Sequence, residues 1–413
     1  MPGPNIIIVG GGLSGLCLAH ALVAQGCSVT VFERDPSRNA RGQGYRLTID
    51  DTGSESLQAC LPPRNYDFIR ATAGAVGKTG AFVFLDEHAR ELHRFTFDLE
   101  AGERRGHITG QVDRHTLRQA LFAGLGDHVH FGKAFAHYEE VPSGVIAHFA
   151  DGSTAEGDML IGADGTNSRV RRQRMPEAEP RDTRIRGVFG RTPVSRVDLP
   201  VLGRLLTNAG IMALGPRGHV FFCTAMRFRE EPPAAAARLG IEGDSWPSDD
   251  YFMWAVGVRS LNGADLGELD TTAMHVIAAR AVDGFHDDCQ ALVRASNPND
   301  LVVVPIRAAP PLKRSAPGPV TLIGDSIHTM PPFGAHGANT AFKDARTLAA
   351  KVGDRTRPFV VADALDAYES SLRRYSRPVV KSAMRMMFFA TADFPFKDAI
   401  VRTALRTARV FSR

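Results

Sequence analysis

Residues 5–33 constrain this chain more than any other stretch. Asn5 to Val9 is an apolar run of the buried-strand kind, a glycine-rich turn follows, and the apolar spacing from about Leu13 to Gln25 is helical. Gly26 is a helix stop, and CSVTVFE (27–33) reads as a second strand. Strand, turn, helix and strand together predict a βαβ unit. Gly10, Gly12 and Gly15 stand at its turn as G-x-G-x-x-G. The first glycine permits the tight turn, the second lets backbone approach a pyrophosphate, and the third lets helix and strand pack closely. Phosphates would then face the free N–H groups of the helix N-terminus, where the helix dipole favours anions, with Ser14 adding a hydroxyl. Glu33 ends the second strand, 18 residues after Gly15. A carboxylate there accepts hydrogen bonds from ribose hydroxyls and repels a 2′-phosphate. This unit does not by itself separate FAD from NAD.

Two further segments repeat the theme of a strand ending in a polar turn. In DMLIGADGTNSRVRR (158–172), the apolar run Leu160 to Ala163 meets Asp164-Gly165. In VTLIGDSIHTMPPFGAHGANTAFKDARTLA (320–349), another apolar run ends in Gly324-Asp325. Pro331, Pro332, Gly334, Gly337 and Asn339 then fix an irregular backbone close to something flat or charged. A helix expected from about Asn339 offers a second set of free N–H groups, useful where a ring becomes anionic on reduction.

At 413 residues the chain exceeds what one core usually organises, so two or three sub-structures are expected. Charged residues at 23% and hydrophobic residues at 44% exclude a disordered or fibrous chain. The net charge of +4 argues little for nucleic acid. Five cysteines without C-x-x-C spacing argue against a disulfide framework and a structural zinc, and make a reducing cytoplasm the default. MPGPNIIIVG has no basic n-region, and no apolar run approaches the ~18 residues of a membrane span. Runs at 80–86 and 89–98 predict a hairpin around Glu87-His88. Those at 182–192, 218–228 and 251–259 predict an antiparallel sheet. Helical patterns return at Thr271–Ala281 and after Asn339, and dominate from Phe359 onward.

The three motifs, in this order and at these separations, resemble those of the single-component (class A) FAD-dependent monooxygenases with the p-hydroxybenzoate hydroxylase fold. That pattern is G-x-G-x-x-G, an Asp-Gly motif, and Gly-Asp followed by H-x-x-P-x-x-G-x-x-x-N; His328, Pro331 and Gly334 stand in register, and Asn339 follows one residue beyond the pattern's position. GDSIH departs from the usual GDAAH only at Ser326 and Ile327. The resemblance implies an α/β fold: a Rossmann-like FAD-binding domain with an inserted, mostly antiparallel β-sheet substrate domain and C-terminal helices. The boundaries expected are 1–75, 102–178 and 300–355 for FAD, 76–101 and 179–299 for substrate, and 356–413 for the helical tail.

It further implies that Glu33 binds the adenosine ribose, Arg34 lies on the adenine side, Asp325 meets the ribityl chain, and Pro332 to Asn339, with Gly337 and Ala338, run along the flavin ring. Asp164 belongs to a motif linked to FAD and NAD(P)H. Arg114 is a helix-start arginine for the flavin side chain or pyrophosphate. Arg41, or Arg46 in its place, lies near the pyrophosphate or the reductant. Pro332, Gly334 and His336 line the flavin; His328 orders the loop. No catalytic side chain is assigned beyond the flavin itself, and no metal is expected.

NAD(P)H would reduce the flavin in passing, since no second glycine fingerprint exists. The reduced flavin would capture O2 as a C4a-hydroperoxide that hydroxylates an aromatic or polycyclic, natural-product-like substrate. Baeyer–Villiger insertion, epoxidation or dehydrogenation on the same fold, and a flavin-binding non-enzyme, are the alternatives. Expected pocket walls are Phe189, Arg191, Phe221, Cys223, Met226, Met253 and Trp254, against the plainer reading that these form the core of the sheet. The expected partners are a small molecule and at most a second copy of the chain, with no nucleic acid and no integral membrane contact. The basic and apolar tail (381–413) is expected to pack as a helix pair broken at Pro395.

Overall fold

The computed structural model describes residues 3–40, 44–75, 79–247, 249–259, 270–354, 356, 358–392 and 403. A five-stranded parallel sheet runs in the order Val320–Leu322, Met159–Gly162, Asn5–Val9, Ser28–Phe32, Val129–His130. Its central strands are apolar without alternation, since both faces are covered: Ile6, Ile8, Leu160 and Ile161 are all fully buried. Helix Leu13–Ala24 lies between this sheet and helix His336–Val352, and is buried from Leu13 through Leu22. Helices Asp51–Cys60 and Pro63–Ala71 and a three-stranded antiparallel sheet (Phe135–Val141, Gly144–Phe149, Thr154–Gly157) complete this part.

A seven-stranded sheet forms the second part. Its order is Val302–Ala308, Arg181–Pro193, Tyr251–Arg259, Val220–Met226, Ala209–Leu214, Thr79–Asp86, Glu91–Asp98, antiparallel except where Ala209–Leu214 runs beside Thr79–Asp86. The expected hairpin closes where Asp86 Oδ1 accepts the N–H groups of His88 and Arg90 at 3.0 and 2.9 Å. Strand alternation gives the sheet two apolar faces. On one, Val188, Phe221, Cys223, Trp254 and Val256 meet Met274, Ala278 and Leu292 of helices Thr271–Ala281 and Asp287–Arg294. On the other, Met226, Tyr251, Met253 and Phe189 meet Tyr45, while Met212 and Leu214 meet Phe333 and Met387. Tyr45 and Phe333 come from the parallel-sheet part, so this second face is turned toward it.

Val302–Ala308, in the stretch expected to belong to the nucleotide-binding part, pairs with Arg181–Pro193, Ile306 opposite Ile185. Pro305 is tolerated there because the strand lies at the sheet edge. The long helix Val361–Thr391 ties both parts together: Leu365, Tyr368 and Leu372 join the first core, and Met387 and Ala390 join the second. Pro395 lies outside the described residues, as does most of the expected second helix. Among the described residues no helix is long and apolar enough to cross a membrane.

Candidate functional site

Four segments distant in sequence end at one edge of the parallel sheet, the C-terminal edge where α/β sheets bind ligands. They are also in direct contact. Gly10 N–H donates to Phe32 O at 2.8 Å, Ala163 N–H to Val9 O at 2.8 Å, and Ile323 N–H to Gly162 O at 3.0 Å. Gly10 has φ +113, and a Cβ there would stand 2.4 Å from Ala163 O. A Cβ on Gly15 would stand 2.2 Å from Gly10 O. These two glycines are demanded by the fold. Gly12 is different: the nearest atom to a Cβ is Ala163 O at 3.9 Å, so its missing side chain clears room beside the helix start. Helix Leu13–Ala24 has no side-chain cap and no acidic residue in its first turn. Its leading N–H groups are thus free for an anion.

Glu33 is fixed at this turn. Its Oε2 accepts Gly11 N–H at 2.8 Å and its Oε1 accepts Asp35 N–H at 2.9 Å. A carboxylate has about four acceptor positions, so two remain open. At the next strand end, Asp164 Oδ2 accepts Arg169 N–H at 2.7 Å and Val170 N–H at 3.3 Å. Its Oδ1 is buried without a partner in the protein. Burial pushes the Asp164 carboxyl above its usual range despite those hydrogen bonds.

The third motif leans on the first. A Cβ on Gly324 (φ +63) would stand 2.8 Å from Ser14 Oγ, so Ser14 is buried against the motif. Gly324 N–H donates to Asp344 Oδ2 at 2.7 Å, the same oxygen that pairs with His328 Nε2 at 2.7 Å. Tyr375 OH donates to Asp344 Oδ1 at 2.7 Å. His328 therefore orders the loop. Sequence reasoning missed Asp344 and Tyr375; the only signal was an acid at a buried position of the helix after the motif. Asp325, by contrast, is exposed at the strand end.

In the loop that follows, Pro332, Gly334 and Ala335 are exposed, and Ala335 adopts the left-handed conformation at φ 56. Asn339, expected on the cofactor, holds the loop itself. Its Nδ2 donates to Thr48 O at 2.9 Å and Ala335 O at 3.0 Å, and its Oδ1 accepts Asp50 N–H at 3.2 Å. Gly53 allows this approach, since a Cβ would meet that oxygen at 1.9 Å. Helix His336–Val352 has no side-chain cap or first-turn acid, and a Cβ on Gly337 would meet nothing within 4 Å. Its start is open in the manner of the first helix. The His336 ring lies against Gly334, 2.9 Å from a Cβ there, and Ala338 packs on the first core.

The arginines separate. Arg114 begins helix Arg114–Phe122 with its N–H on Tyr45 O at 2.7 Å. Arg34 is exposed, and Arg41 lies outside the described residues. Arg46 is half-buried between the two parts. Its Nη1 donates to Thr48 Oγ1 at 2.7 Å, and its guanidinium lies 5.0 Å from the centre of the Phe222 ring.

The expected pocket walls divide by face. Phe221, Cys223 and Trp254 are fully buried on the helix-covered side, where they belong to the core. Met226, Met253 and Phe189 lie on the side facing the parallel-sheet part. Arg191 pairs with Asp300, Nε to Oδ2 at 3.3 Å. On the three-stranded sheet His137, Glu139 and His148 gather, with ligand atoms within 4.8 Å of one another. Their two imidazoles stack 4.3 Å apart at 3°, so no single point lies in line with both ring nitrogens as a metal ion requires.

An open glycine beside an uncapped helix, an anchored ribose-type carboxylate and a buried unpaired Asp164 oxygen fit a nucleotide cofactor such as FAD. Comparison with known proteins agrees. A family model described as FAD binding domain matches residues 4–236 and 277–383. The dual O-methyltransferase/FAD-dependent monooxygenase CTB3 of Cercospora beticola is 30% identical over 394 residues, covering 89% of this chain and 44% of its own length. The chain thus spans less than half of that relative. The 3-amino-4-hydroxybenzoate 2-monooxygenase of Streptomyces cremeus is 28% identical over 389 residues, 92% of this chain and 86% of its own. Klebsiella pneumoniae HpxO, solved with FAD and uric acid, shares the fold at TM-score 0.78 and 22% identity, over 99% of this chain and 95% of that one.

Proposed function

The chain belongs to the FAD binding domain family, within the single-component FAD-dependent monooxygenases of p-hydroxybenzoate hydroxylase-like fold; on that premise we propose that it consumes NAD(P)H and O2 to insert one oxygen atom into an aromatic or polycyclic small molecule. The observation that carries this reading is the meeting of four strand ends, Gly10, Glu33, Asp164 and Gly324, at one sheet edge beside a second, apolar sheet face.

In this reading the open N-terminus of helix Leu13–Ala24 holds the pyrophosphate, Glu33 the adenosine ribose, and Asp325 the ribityl chain. Arg114 neutralises the phosphate side. The loop from Pro332 to Gly337 would hold the flavin ring, and the uncapped start of helix His336–Val352 would stabilise negative charge on it. When bound, the flavin supplies electron transfer from the nicotinamide and activation of O2. The protein positions substrate and excludes water. Phe82, Phe84 and Phe222 of the seven-stranded sheet, with Phe333 of the loop and Met387 of the long helix, form an apolar cluster suited to that task. The relative named for 3-amino-4-hydroxybenzoate supports an aromatic substrate.

The test is a panel of aromatic and polyketide-like compounds presented to the FAD-loaded protein. Substrate-stimulated NAD(P)H oxidation with one oxygen gained in the product is expected. Loss of two hydrogens would indicate a dehydrogenase instead, and FAD retention without any stimulated turnover would indicate a binding module.

A further inference from the structure

Strand Arg46–Ile49 pairs antiparallel with Gly110–Asp113, Thr48 opposite Gln111 and Arg46 opposite Asp113. Opposed residues and those two apart share a face of such a ribbon. Arg46, Thr48 and Gln111 therefore form one polar row. The row faces the seven-stranded sheet, because Arg46 lies over Phe222 and Gln111 Nε2 donates to Thr224 Oγ1. It also adjoins the flavin loop, because Asn339 is bonded to Thr48 O.

Two atoms of this row are buried without a partner: Arg46 Nε, a donor, and Gln111 Oε1, an acceptor. Buried polar groups are nearly always hydrogen-bonded, so two such atoms on neighbouring side chains mark a place where a ligand completes the set. The carboxylate opposite Arg46 is already committed. Asp113 Oδ1 accepts the N–H and hydroxyl of Thr116, and Oδ2 accepts Tyr251 OH at 2.8 Å. Among the described residues no carboxylate stands within ion-pair distance of Arg46. Burial draws its guanidinium down to about 10, which an anion would reverse. The adjoining wall is aromatic: Phe222 stacks with Phe82 at 6.2 Å, and Phe82 meets Phe84 edge-on at 5.2 Å.

We propose that Arg46 and Gln111 are the specificity pair of the substrate chamber, selecting a planar molecule that presents a deprotonated oxygen to Arg46 and a hydroxyl or amine donor to Gln111. The class this fits is an ortho-hydroxylated aromatic acid or an enolised cyclic 1,3-dicarbonyl. Arginine suits the anion because its planar fork binds oxygen anions while its face rests on an aromatic ring. The inference rests on the monooxygenase reading, which supplies the chamber.

The experiment titrates the FAD-loaded protein with 2-hydroxybenzoate, benzoate and 2-hydroxybenzamide, read by perturbation of the flavin absorbance. We expect 2-hydroxybenzoate to bind about 10-fold or more tighter than the neutral amide, with benzoate between them. Arg46→Met removes the preference for the anion and leaves FAD affinity unchanged. Gln111→Met removes only the advantage of the hydroxyl. Arg46→Lys, which keeps the charge, serves should the Met variant fail to fold, and is expected to retain part of the anion preference. Equal binding of all three probes, no binding of either anion, an anion preference that survives Arg46→Met, or loss of FAD on that change would each overturn the proposal. A wild-type protein that takes up no FAD would sink the flavin reading itself, a result separable from all of these.

Discussion

His328 and Asp344 form an ion pair, 2.7 Å from Nε2 to Oδ2, with side chains only 1% and 0% exposed. The Asp344 oxygen that meets His328 also takes Gly324 N–H, and its other oxygen takes Tyr375 OH. One buried carboxylate therefore fixes the glycine of the third motif, its histidine and the long C-terminal helix. Removing one partner of a buried pair leaves an uncompensated charge, so Asp344→Ala should cost about 3–5 kcal/mol in urea unfolding. A loss under 1 kcal/mol would mean the pair does not brace the motif.

The same pair sets a pH dependence. Burial draws His328 downward, but the Asp344 carboxylate outweighs it, and the net shift is upward. A histidine raised in the folded state stabilises fully below its unfolded value of about 6.5, and that stability is lost as pH rises through the folded value. The urea midpoint should fall on going from neutral to alkaline pH, and His328→Gln should flatten that part of the profile. An unchanged profile in the variant would remove His328 as its source.

Gly12 and Gly15 should respond differently to alanine. At Gly15 a Cβ meets Gly10 O at 2.2 Å, a backbone clash, and the protein should be strongly destabilised. At Gly12 the nearest atom is 3.9 Å away, so stability should stay within about 1 kcal/mol. FAD affinity should nonetheless fall about 10-fold, because the methyl enters the space assigned to phosphate. Thermal melts with flavin titration read both effects; equal retention of FAD would show that Gly12 clears room for nothing.

Asp325 separates binding from folding. Its side chain is exposed. Asp325→Ala should leave the unfolding free energy of the flavin-free protein almost unchanged, within about ±0.5 kcal/mol. It should weaken FAD retention through loss of the ribityl contact. Unaltered retention would strip Asp325 of that role.

Trp254 is core. Its indole N–H donates to Thr192 Oγ1 at 3.2 Å, and a Cβ on Gly190 would meet the ring at 2.2 Å. Trp254→Ala should cost about 3–5 kcal/mol. The milder Trp254→Phe should lower stability without altering which aromatic probes perturb the flavin. A changed probe preference would place Trp254 in the chamber after all.

The sequence was most legible where local geometry and chemistry coincide. Strand Asn5–Val9 and helix Leu13–Ala24 follow directly from unbroken apolar runs bounded by glycine. The pairing of Phe221 with Cys223 on one face was also legible from alternation. Which face they occupy was not, because both faces of that sheet are apolar, one under helices and one toward the parallel-sheet part. Asn339 shows a different limit. A motif position identifies a residue that matters without showing that it also ties the loop to Thr48 and Asp50. Arg46 was singled out in the chain, but as an arginine for the pyrophosphate or the reductant, and Gln111 carried no signature; only the register of two short strands sets them side by side.

The central claim is that Gly12, Glu33, Asp164 and Asp325 surround one flavin nucleotide, and the most direct measurement is the flavin content of the purified protein. The account predicts a yellow protein with about one FAD per chain and bands near ~375 and ~450 nm, with flavin retention weakened by Asp325→Ala. A colourless protein that FAD cannot reconstitute, folded by its melting transition, would contradict it.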